Sequence, residues 1–192
     1  MKYDFFAYLN RMKHIKRWSL MHSTVDENIM EHTEQVSVVA HALAEIKNLY
    51  FNGNIDVLKV VLYSQYHETG EVITGDLPTP IKYFNKEINS AYKDIENGAC
   101  EKLLSTLPSE LREKYKAYVL PDENSEEYII MKCADKISAY IKCVEEVKFG
   151  NKEFVKAKET IKKDLLKNER EEVQFFVKNI LPKYELTLDE LD

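Results

Sequence analysis

The spacing of apolar residues constrains the fold of this chain more than any other feature. Apolar residues recur at three- and four-residue steps along nearly its whole length, which is the spacing of one face of an α-helix. Gly and Pro number only five each in 192 residues, while the helix-favouring residues Leu, Lys, Glu and Ala are plentiful. The pattern predicts an all-α fold, and the length predicts a single domain over residues 1–192.

Turn-forming residues divide the pattern into separate predicted helices. Breaks are expected at residues 52–54, 75–80 and 150–151 and at Pro108 and Pro121, where Gly, Asn and Pro are concentrated. The helices are therefore predicted at residues 3–13, 28–51, 56–69, 80–105, 109–118, 125–149, 152–167 and 169–180.

Charge and composition exclude several classes of partner. A formal charge of -6 argues against a nucleic-acid polymer, because such binders need a broad basic stripe, but it permits a small anionic substrate. No stretch approaches the roughly 18 apolar residues of a membrane span, and the N-terminus lacks the apolar core of a signal peptide. Cys100, Cys133 and Cys143 form no CxxC pair and fit core thiols. A cytoplasmic protein without a membrane partner is expected.

Residues 67–76 concentrate ionisable side chains where an apolar helix should end. Continuing the inner face of that helix brings Glu68 and Glu71 onto it, with His67 at its edge and Asp76 in the following loop. Burying so much like charge is costly unless a cation compensates it. The cluster therefore predicts a metal site, and salt bridges to nearby lysines are the structural alternative.

A second histidine could join this cluster. His32 lies in the middle of the apolar stripe of the 28–51 helix and should point inward, whereas His41 lies on the opposite side and should be solvated. An inward histidine is commonly a hydrogen-bonded core residue. Buried beside His67 and the carboxylates, however, it would complete a nitrogen and oxygen donor set suited to zinc, manganese, cobalt or nickel.

Two further segments carry groups suited to phosphate. Arg17 offers a planar fork that matches a phosphate monoester, and Trp18, the single tryptophan, offers a stacking face. Surface packing is the commoner explanation for an isolated Arg-Trp pair. Thr79 before Pro80 fits the N-cap and first residue of a helix, whose free N–H groups would face the Asp76 loop. That arrangement can hold a phosphate or simply complete a turn.

Taken in order, these segments resemble a known family. Arg17-Trp18, Glu31-His32, the block from His67 to Pro80 and Ala134-Asp135 resemble the HD-domain phosphohydrolases, and closely the bacterial YfbR-type 5'-deoxynucleotidases. The resemblance covers essentially the whole chain. It implies an all-α, single-domain helical bundle of the HD type that forms a homodimer. It also implies hydrolysis of deoxyribonucleoside 5'-monophosphates to deoxynucleoside and orthophosphate, with one divalent transition-metal ion such as cobalt, manganese or zinc.

The resemblance also implies residue roles. His32, His67, Glu68 and Asp135 would hold the metal ion, and Glu71 and Arg17 would be the catalytic residues, by proton transfer and by orienting the phosphate. The helical wheel places Asp135 away from the main apolar stripe, so its role depends on the resemblance alone. The residues implied to contact the nucleoside monophosphate are Arg17, Trp18, Glu68, Asp76, Leu77, Pro78, Thr79 and Asp135.

One position departs from the family pattern, since His67 is followed by Glu68 rather than by aspartate. The extra methylene requires the carboxylate to fold back or to bind in a different mode, and a misplacement of about 1 Å can cost about a hundredfold in rate. The alternatives are an HD-type phosphodiesterase or dNTP hydrolase, which would release different products, and a catalytically impaired nucleotide-binding helical module. A purely structural dimerisation protein gives no reason for Arg17, Glu71 and Asp76 to accompany the histidines.

Overall fold

The structure is a computed structural model that describes residues 3–82 and 84–191, without the side chain of Thr79. Within these residues β pairing is confined to one isolated bridge between Lys16 and Asn28, which confirms the all-α prediction. Short 3-10 helices lie at Asn10–His14, Lys152–Phe154, Leu181–Glu185 and Leu188–Glu190. The α-helices are α1 (Phe5–Leu9), α2 (Ile29–Tyr50), α3 (Val57–Tyr66), α4 (Glu71–Thr74), α5 (Thr79–Lys82), α6 (Lys86–Leu104), α7 (Ser109–Val119), α8 (Glu126–Lys148), α9 (Val155–Leu166) and α10 (Glu171–Asn179).

Side-chain caps fix where the long helices begin. The side chain of Asn28 accepts a hydrogen bond from the backbone N–H of Glu31, whose carboxylate returns to the N–H of Asn28 in a capping box. Each such cap satisfies a backbone N–H that the helix leaves free and stabilises it by about 1 kcal/mol. At the starts of α3, α6 and α8, the side chains of Asp56, Asn85 and Ser125 likewise accept a hydrogen bond from a backbone N–H.

The helix boundaries differ from the predictions at several places. The helix predicted at 80–105 is two helices, because the Asn85 side chain caps a new start at Lys86. The helix predicted at 56–69 ends at Tyr66, and the helix predicted at 3–13 is α1 followed by a 3-10 helix. The breaks expected at residues 52–54, 150–151, Pro108 and Pro121 are confirmed as non-helical connections. The break expected at residues 75–80 is confirmed for residues 75–78, because residues 79 and 80 already belong to α5. Thr79 is the first residue of α5 rather than the residue before it.

The main core lies where α2, α3 and α8 pack together, with α9 and α10 closing one side. Leu43 on α2 and Ile137 on α8 are fully buried, and burying such a side chain contributes about 1.5 to 3 kcal/mol. A second cluster joins Phe5 to the C-terminal half of α6. This packing brings the first turn of α2, the C-terminal end of α3 and the middle of α8 to one place.

The thiols behave as the sequence predicts. Cys100 and Cys143 are buried and Cys133 is half-buried, and all three are free. Burial raises the pKa of Cys100 and of Cys143 to about 12, so both stay protonated and unreactive at neutral pH. No helix in the described parts of the chain is long and apolar enough to cross a membrane.

Candidate active site

Three helices bring four potential metal ligands together. His32 comes from the first turn of α2, His67 and Glu68 follow the last residue of α3, and Asp135 comes from the middle of α8. One ligand atom from each of the four lies within 4.8 Å of all the others. The His32 Nε2 atom is 3.2 Å from Asp135 Oδ1 and 3.8 Å from Glu68 Oε1, and His67 Nε2 is 3.1 Å from Glu68 Oε1.

The unpaired nitrogens of this group test whether a cation fits. Neither His32 Nε2 nor His67 Nε2 has a hydrogen-bond partner among the described residues, although both atoms are buried. Leaving a buried polar atom without a partner costs about 1 to 3 kcal/mol. Two imidazole nitrogens and two carboxylate oxygens form a donor set that a divalent transition metal accepts. The residues present therefore fit such an ion.

A hydrogen bond at the other ring nitrogen, Nδ1, fixes the orientation of His67. Its Nδ1 atom is 2.6 Å from the backbone carbonyl oxygen of Ser64, one turn earlier in α3. A carbonyl can only accept a hydrogen bond, so Nδ1 must carry the proton and donate it. When Nε2 is deprotonated, its lone pair faces the carboxylates, and this tautomer is the one that a metal ligand requires.

His32 has two candidate partners at its other ring nitrogen. Its Nδ1 atom lies 2.7 Å from Arg17 Nη1 and 3.2 Å from the hydroxyl of Ser138, which itself donates to Gln35 at 2.6 Å. Arginine can only donate, whereas Ser138, having given its hydrogen to Gln35, can only accept. Coordination of a cation through Nε2 needs a proton on Nδ1 and therefore selects the bond to Ser138.

The electrostatics of the group favour ionised carboxylates. Burial opposes ionisation of Glu68, but His67 outweighs burial and holds the pKa of Glu68 below its usual range. Burial also opposes ionisation of Asp135, but Lys132, 2.6 Å away, helps to hold the pKa of Asp135 well below its usual range. Burial, followed by the charge of Arg17, lowers the pKa of His32. A neutral imidazole and two carboxylates are thus ready to bind a cation.

Glu71 differs from its neighbours. It is the first residue of α4 and is buried, and burial together with the charges of Glu68 and Asp76 raises its pKa to about 10. Its carboxyl group is therefore protonated at neutral pH and can donate a proton. The preceding Gly70 lets α4 approach α6 closely, because a Cβ atom there would lie 3.0 Å from the carbonyl oxygen of Glu96.

A cavity of about 160 Å³ opens beside this group. Burial raises the pKa of Asp76, although the neighbouring Arg17 opposes that shift. Burial also opposes the charge on Arg17, but the surrounding carboxylates, led by Glu27, together outweigh burial and raise the pKa of Arg17. A cationic fork next to a small cavity suits an anionic ligand with an attached ring. The cavity is lined by Arg17, Trp18, Ser19, Leu20, Met21, Asp76, Pro78 and Pro80.

Most site residues suggested by the sequence meet in this region. Arg17, Trp18, Asp76 and Pro78 line the cavity, while Leu77 is not among the described residues that do so. The side chain of Thr79 lies outside what the structure describes. His32 is fully buried and His41 is exposed, as predicted.

One expectation from the helical wheel is wrong. His67 was expected at the edge of the inner face, but its side chain is 5% exposed and lies deeper than that of Glu68, at 16%. The reason is that α3 ends at Tyr66, so the wheel cannot be continued through residues 67–71. Asp135 does lie away from the main apolar stripe, and its carboxylate, 20% exposed, faces His32 on the neighbouring helix.

Several polar residues that contact the site were missed. Ser138 lies one turn after Asp135, and that spacing could have indicated a shared face. Gln35 supports His32 only through Ser138, and Glu27 lies in a connection without periodicity, so no pattern pointed to either residue.

Comparison with solved structures defines the class of fold. An HD-domain phosphohydrolase of Listeria innocua superposes with a TM-score of 0.82 at 21% identity, covering 94% of this chain and 88% of that protein. An HD phosphohydrolase of cyanophage S-2L, solved with dA and one catalytic Zn²⁺ ion, superposes with a TM-score of 0.58 at 20% identity, covering 92% and 96%. The fold is that of the HD-domain phosphohydrolases.

Sequence comparison narrows the class to a family. A sequence model described as 5'-deoxynucleotidase YfbR-like matches residues 4–184. A 5'-deoxynucleotidase of Vibrio vulnificus is 48% identical over 188 residues, covering 97% of each chain. One from Enterobacter sp. is 46% identical over 188 residues, covering 97% of this chain and 94% of the relative. The chain therefore belongs to the YfbR-like 5'-deoxynucleotidase family.

Proposed function

We propose that this site hydrolyses deoxyribonucleoside 5'-monophosphates to deoxynucleoside and orthophosphate, with one divalent transition-metal ion. The observation that carries the proposal is the pair of buried histidine Nε2 atoms without partners, facing two carboxylates beside the Arg17 cavity. The relatives named 5'-deoxynucleotidases support the reaction, and the cyanophage protein with dA and Zn²⁺ supports the nucleoside and the metal.

In this proposal His32, His67, Glu68 and Asp135 hold the ion. When bound, such an ion polarises the phosphoryl group and lowers the pKa of the attacking water. Glu68 keeps this role despite its extra methylene, because its Oε1 lies 3.1 Å from His67 Nε2 and 3.8 Å from His32 Nε2. The Ser64 carbonyl and the Ser138 hydroxyl accept from Nδ1 of His67 and of His32, respectively, so that each Nε2 presents its lone pair to the ion.

The remaining residues act on the substrate itself. Arg17 neutralises the phosphate oxygens, and its bonds to Glu27 and His32 both use Nη1, which leaves the edge formed by Nε and Nη2 for the phosphate. Trp18, Asp76, Leu77, Pro78 and Thr79 surround the nucleoside. The carboxyl group of Glu71, buried at the start of α4, transfers a proton to the leaving 5'-oxygen.

The finer assignments belong to the same proposal. The native ion is cobalt, manganese, zinc or a similar metal, and metal analysis of the purified protein identifies it. The protein acts as a cytoplasmic homodimer whose catalytic domain spans residues 1–192. Light scattering of the purified protein tests the dimer, and fractionation of its host cells tests the location.

The decisive experiment measures orthophosphate release by the purified protein from dAMP, AMP and dATP across a panel of divalent metals. We expect metal-dependent release from dAMP and little from AMP, and Arg17→Ala should lose activity while keeping its bound metal. Diphosphate or triphosphate as product would identify a dNTP hydrolase instead. Nucleotide binding without turnover for every metal would identify a non-catalytic module.

A further inference from the structure

One carboxylate oxygen holds two of the side chains that line the cavity, those of Arg17 and Trp18. Glu27 Oε2 accepts a hydrogen bond from Arg17 Nη1 at 2.9 Å and another from the indole Nε1 of Trp18, also at 2.9 Å. The Glu27 side chain is 10% exposed, and that of Arg17 is 15% exposed. Hydrogen bonds to an ionised group are roughly twice as strong as neutral ones, so this pair of bonds is well placed to fix geometry.

The backbone places Glu27 opposite these two residues. The N–H of Arg17 donates to the carbonyl of Glu27 at 2.9 Å, and the N–H of Ile29 donates to the carbonyl of Ile15 at 3.0 Å. Residues 18–26 therefore form a loop that is closed at its base by main-chain pairing. Glu27 sits at that base, ten residues from Arg17 in sequence and in direct contact with it.

Trp18 needs this support because its backbone is strained. Its φ of 59° lies in the left-handed region, which costs a residue other than glycine about 1 to 3 kcal/mol and persists only where neighbours enforce it. The indole N–H bonds to Glu27, and the indole ring packs against Phe154 at 5.3 Å between centroids. Strain of this kind clusters at ligand sites, where it presents a side chain in a fixed orientation.

We infer that Glu27 is a positioning residue, which sets the guanidinium of Arg17 and the indole of Trp18 in one fixed arrangement for the substrate. This inference rests on the proposed function. Once His32 Nδ1 carries the proton that metal binding requires, Arg17 no longer has an acceptor there, and Glu27 is the contact that holds Nη1. The opposite edge of the guanidinium then points at the phosphate.

The neighbouring acid provides a matched control. Asp26 pairs with Lys16 at 2.5 Å, and both of these side chains are 67% exposed, so Asp26→Asn removes one carboxylate from the same segment without touching the cavity. Glu27→Gln keeps the shape and one acceptor oxygen but removes the charge. Glu27→Ala removes both bonds.

The experiment compares kinetics on dAMP for these three variants and wild type. We expect kcat/KM to fall by about 10- to 100-fold in Glu27→Ala, by about 3- to 10-fold in Glu27→Gln, and by less than about twofold in Asp26→Asn. Most of the loss should be in kcat, because the fixed guanidinium meets the charge that grows in the transition state. Bound metal should be unchanged in all three.

Two readouts separate positioning from a merely structural role. The single tryptophan is Trp18 itself, so its fluorescence anisotropy should fall in Glu27→Ala, where the indole N–H loses its partner, and stay at the wild-type value in Asp26→Asn. In an Arg17→Ala background, the Glu27→Gln change should cost less than about twofold, because Glu27 acts through Arg17.

Wild-type kinetics in folded Glu27→Gln and Glu27→Ala would overturn the inference while leaving the proposed function intact. The same holds if Glu27→Gln loses as much activity with Arg17 absent as with Arg17 present. A wild-type protein that releases no phosphate from dAMP with any metal would instead contradict the proposed function. Thermal melts identify a variant that has simply unfolded. If Glu27→Ala unfolds, the kinetics of Glu27→Gln, which keeps the shape of the side chain, test the inference.

Discussion

Helix α8 carries two buried groups of charge, and they are built differently. In the first, Lys142 and Glu146 pair at 2.5 Å with side chains only 4% and 1% exposed. Lys142 also donates to the carbonyl of Val25, and Glu146 accepts from Thr24 and from Asn151. Burial opposes ionisation of Glu146, but these hydrogen bonds, led by that of Lys142, lower its pKa to about 2.

The second group surrounds Asp135, nearer the start of the same helix, and it lacks such balance. His32 Nε2 and His67 Nε2 have no hydrogen-bond partner among the described residues, and burial together with the charges of Glu68 and Asp76 raises the pKa of Glu71 to about 10. The charged atoms of the Lys142 group all have hydrogen-bond partners, and these bonds anchor the loop that follows Trp18. The Asp135 group is incomplete without a cation. Internal balance of charge therefore separates a structural cluster from a ligand site more clearly than residue type does.

The largest expected effect comes from removing a ligand of the unbalanced group. His67→Ala should lose bound metal, and its phosphate release from dAMP should fall by at least roughly a thousandfold, since a catalytic ion is worth several kcal/mol. Metal analysis and the phosphate assay measure the two losses. The exposed His41→Ala serves as control and should match wild type. Full activity of a metal-free His67→Ala variant would show that the Asp135 group is not a catalytic metal site.

The balanced group should respond in stability rather than in metal content. Glu146→Gln leaves Lys142 buried without its counter-charge, and breaking a buried pair costs about 3 to 5 kcal/mol. Urea unfolding measures this change, while bound metal should stay at the wild-type level. Lys136→Met, which breaks an exposed pair with Asp164, should cost less than about 1 kcal/mol. Loss of metal in folded Glu146→Gln would show that the two groups are not separate.

Adding metal tests the unbalanced group directly. An ion that binds only the folded chain should stabilise it by about 2.7 kcal/mol at a free concentration of 100 times its Kd. Thermal melts of chelated protein with and without zinc, cobalt or manganese measure the gain. The same gain should appear in Lys136→Met and be absent from His67→Ala. Equal stabilisation of His67→Ala would place the ion elsewhere.

The last expected effect concerns pH. The folded pKa of Glu71, about 10, lies above its ordinary value of 4.5, so the stability that its proton contributes is present at acid pH and is lost as pH rises between these values. Metal-free wild type should therefore lose melting temperature from pH 5 to pH 9 more steeply than Glu71→Gln. Parallel slopes for the two proteins would show that Glu71 is not held in the protonated form.

The sequence predicted those parts of the site that follow from helical periodicity. His32 was expected to point inward because it shares a face with apolar residues of one long helix, and it does. The same reasoning failed at His67, because periodicity does not show where α3 ends. It also failed at residues 80–105, because it did not anticipate the Asn85 cap.

Other parts of the site depend on packing between helices. Asp135 came from the family resemblance, since a wheel of α8 alone does not show that α2 lies opposite. No pattern in the sequence indicated that Glu27 contacts the site. Its partners, Arg17 and Trp18, meet it through a loop whose closure is set by two main-chain hydrogen bonds.

The close approach at Gly70 has a consequence for how the site can diverge. A Cβ atom there would lie 3.0 Å from the carbonyl oxygen of Glu96, so even alanine requires α4, which carries Glu71, or α6 to shift by a few tenths of an ångström. Gly98, on the same helix as Glu96, faces open space and tolerates replacement. Substitution is therefore free at Gly98 and costly at Gly70, next to Glu71.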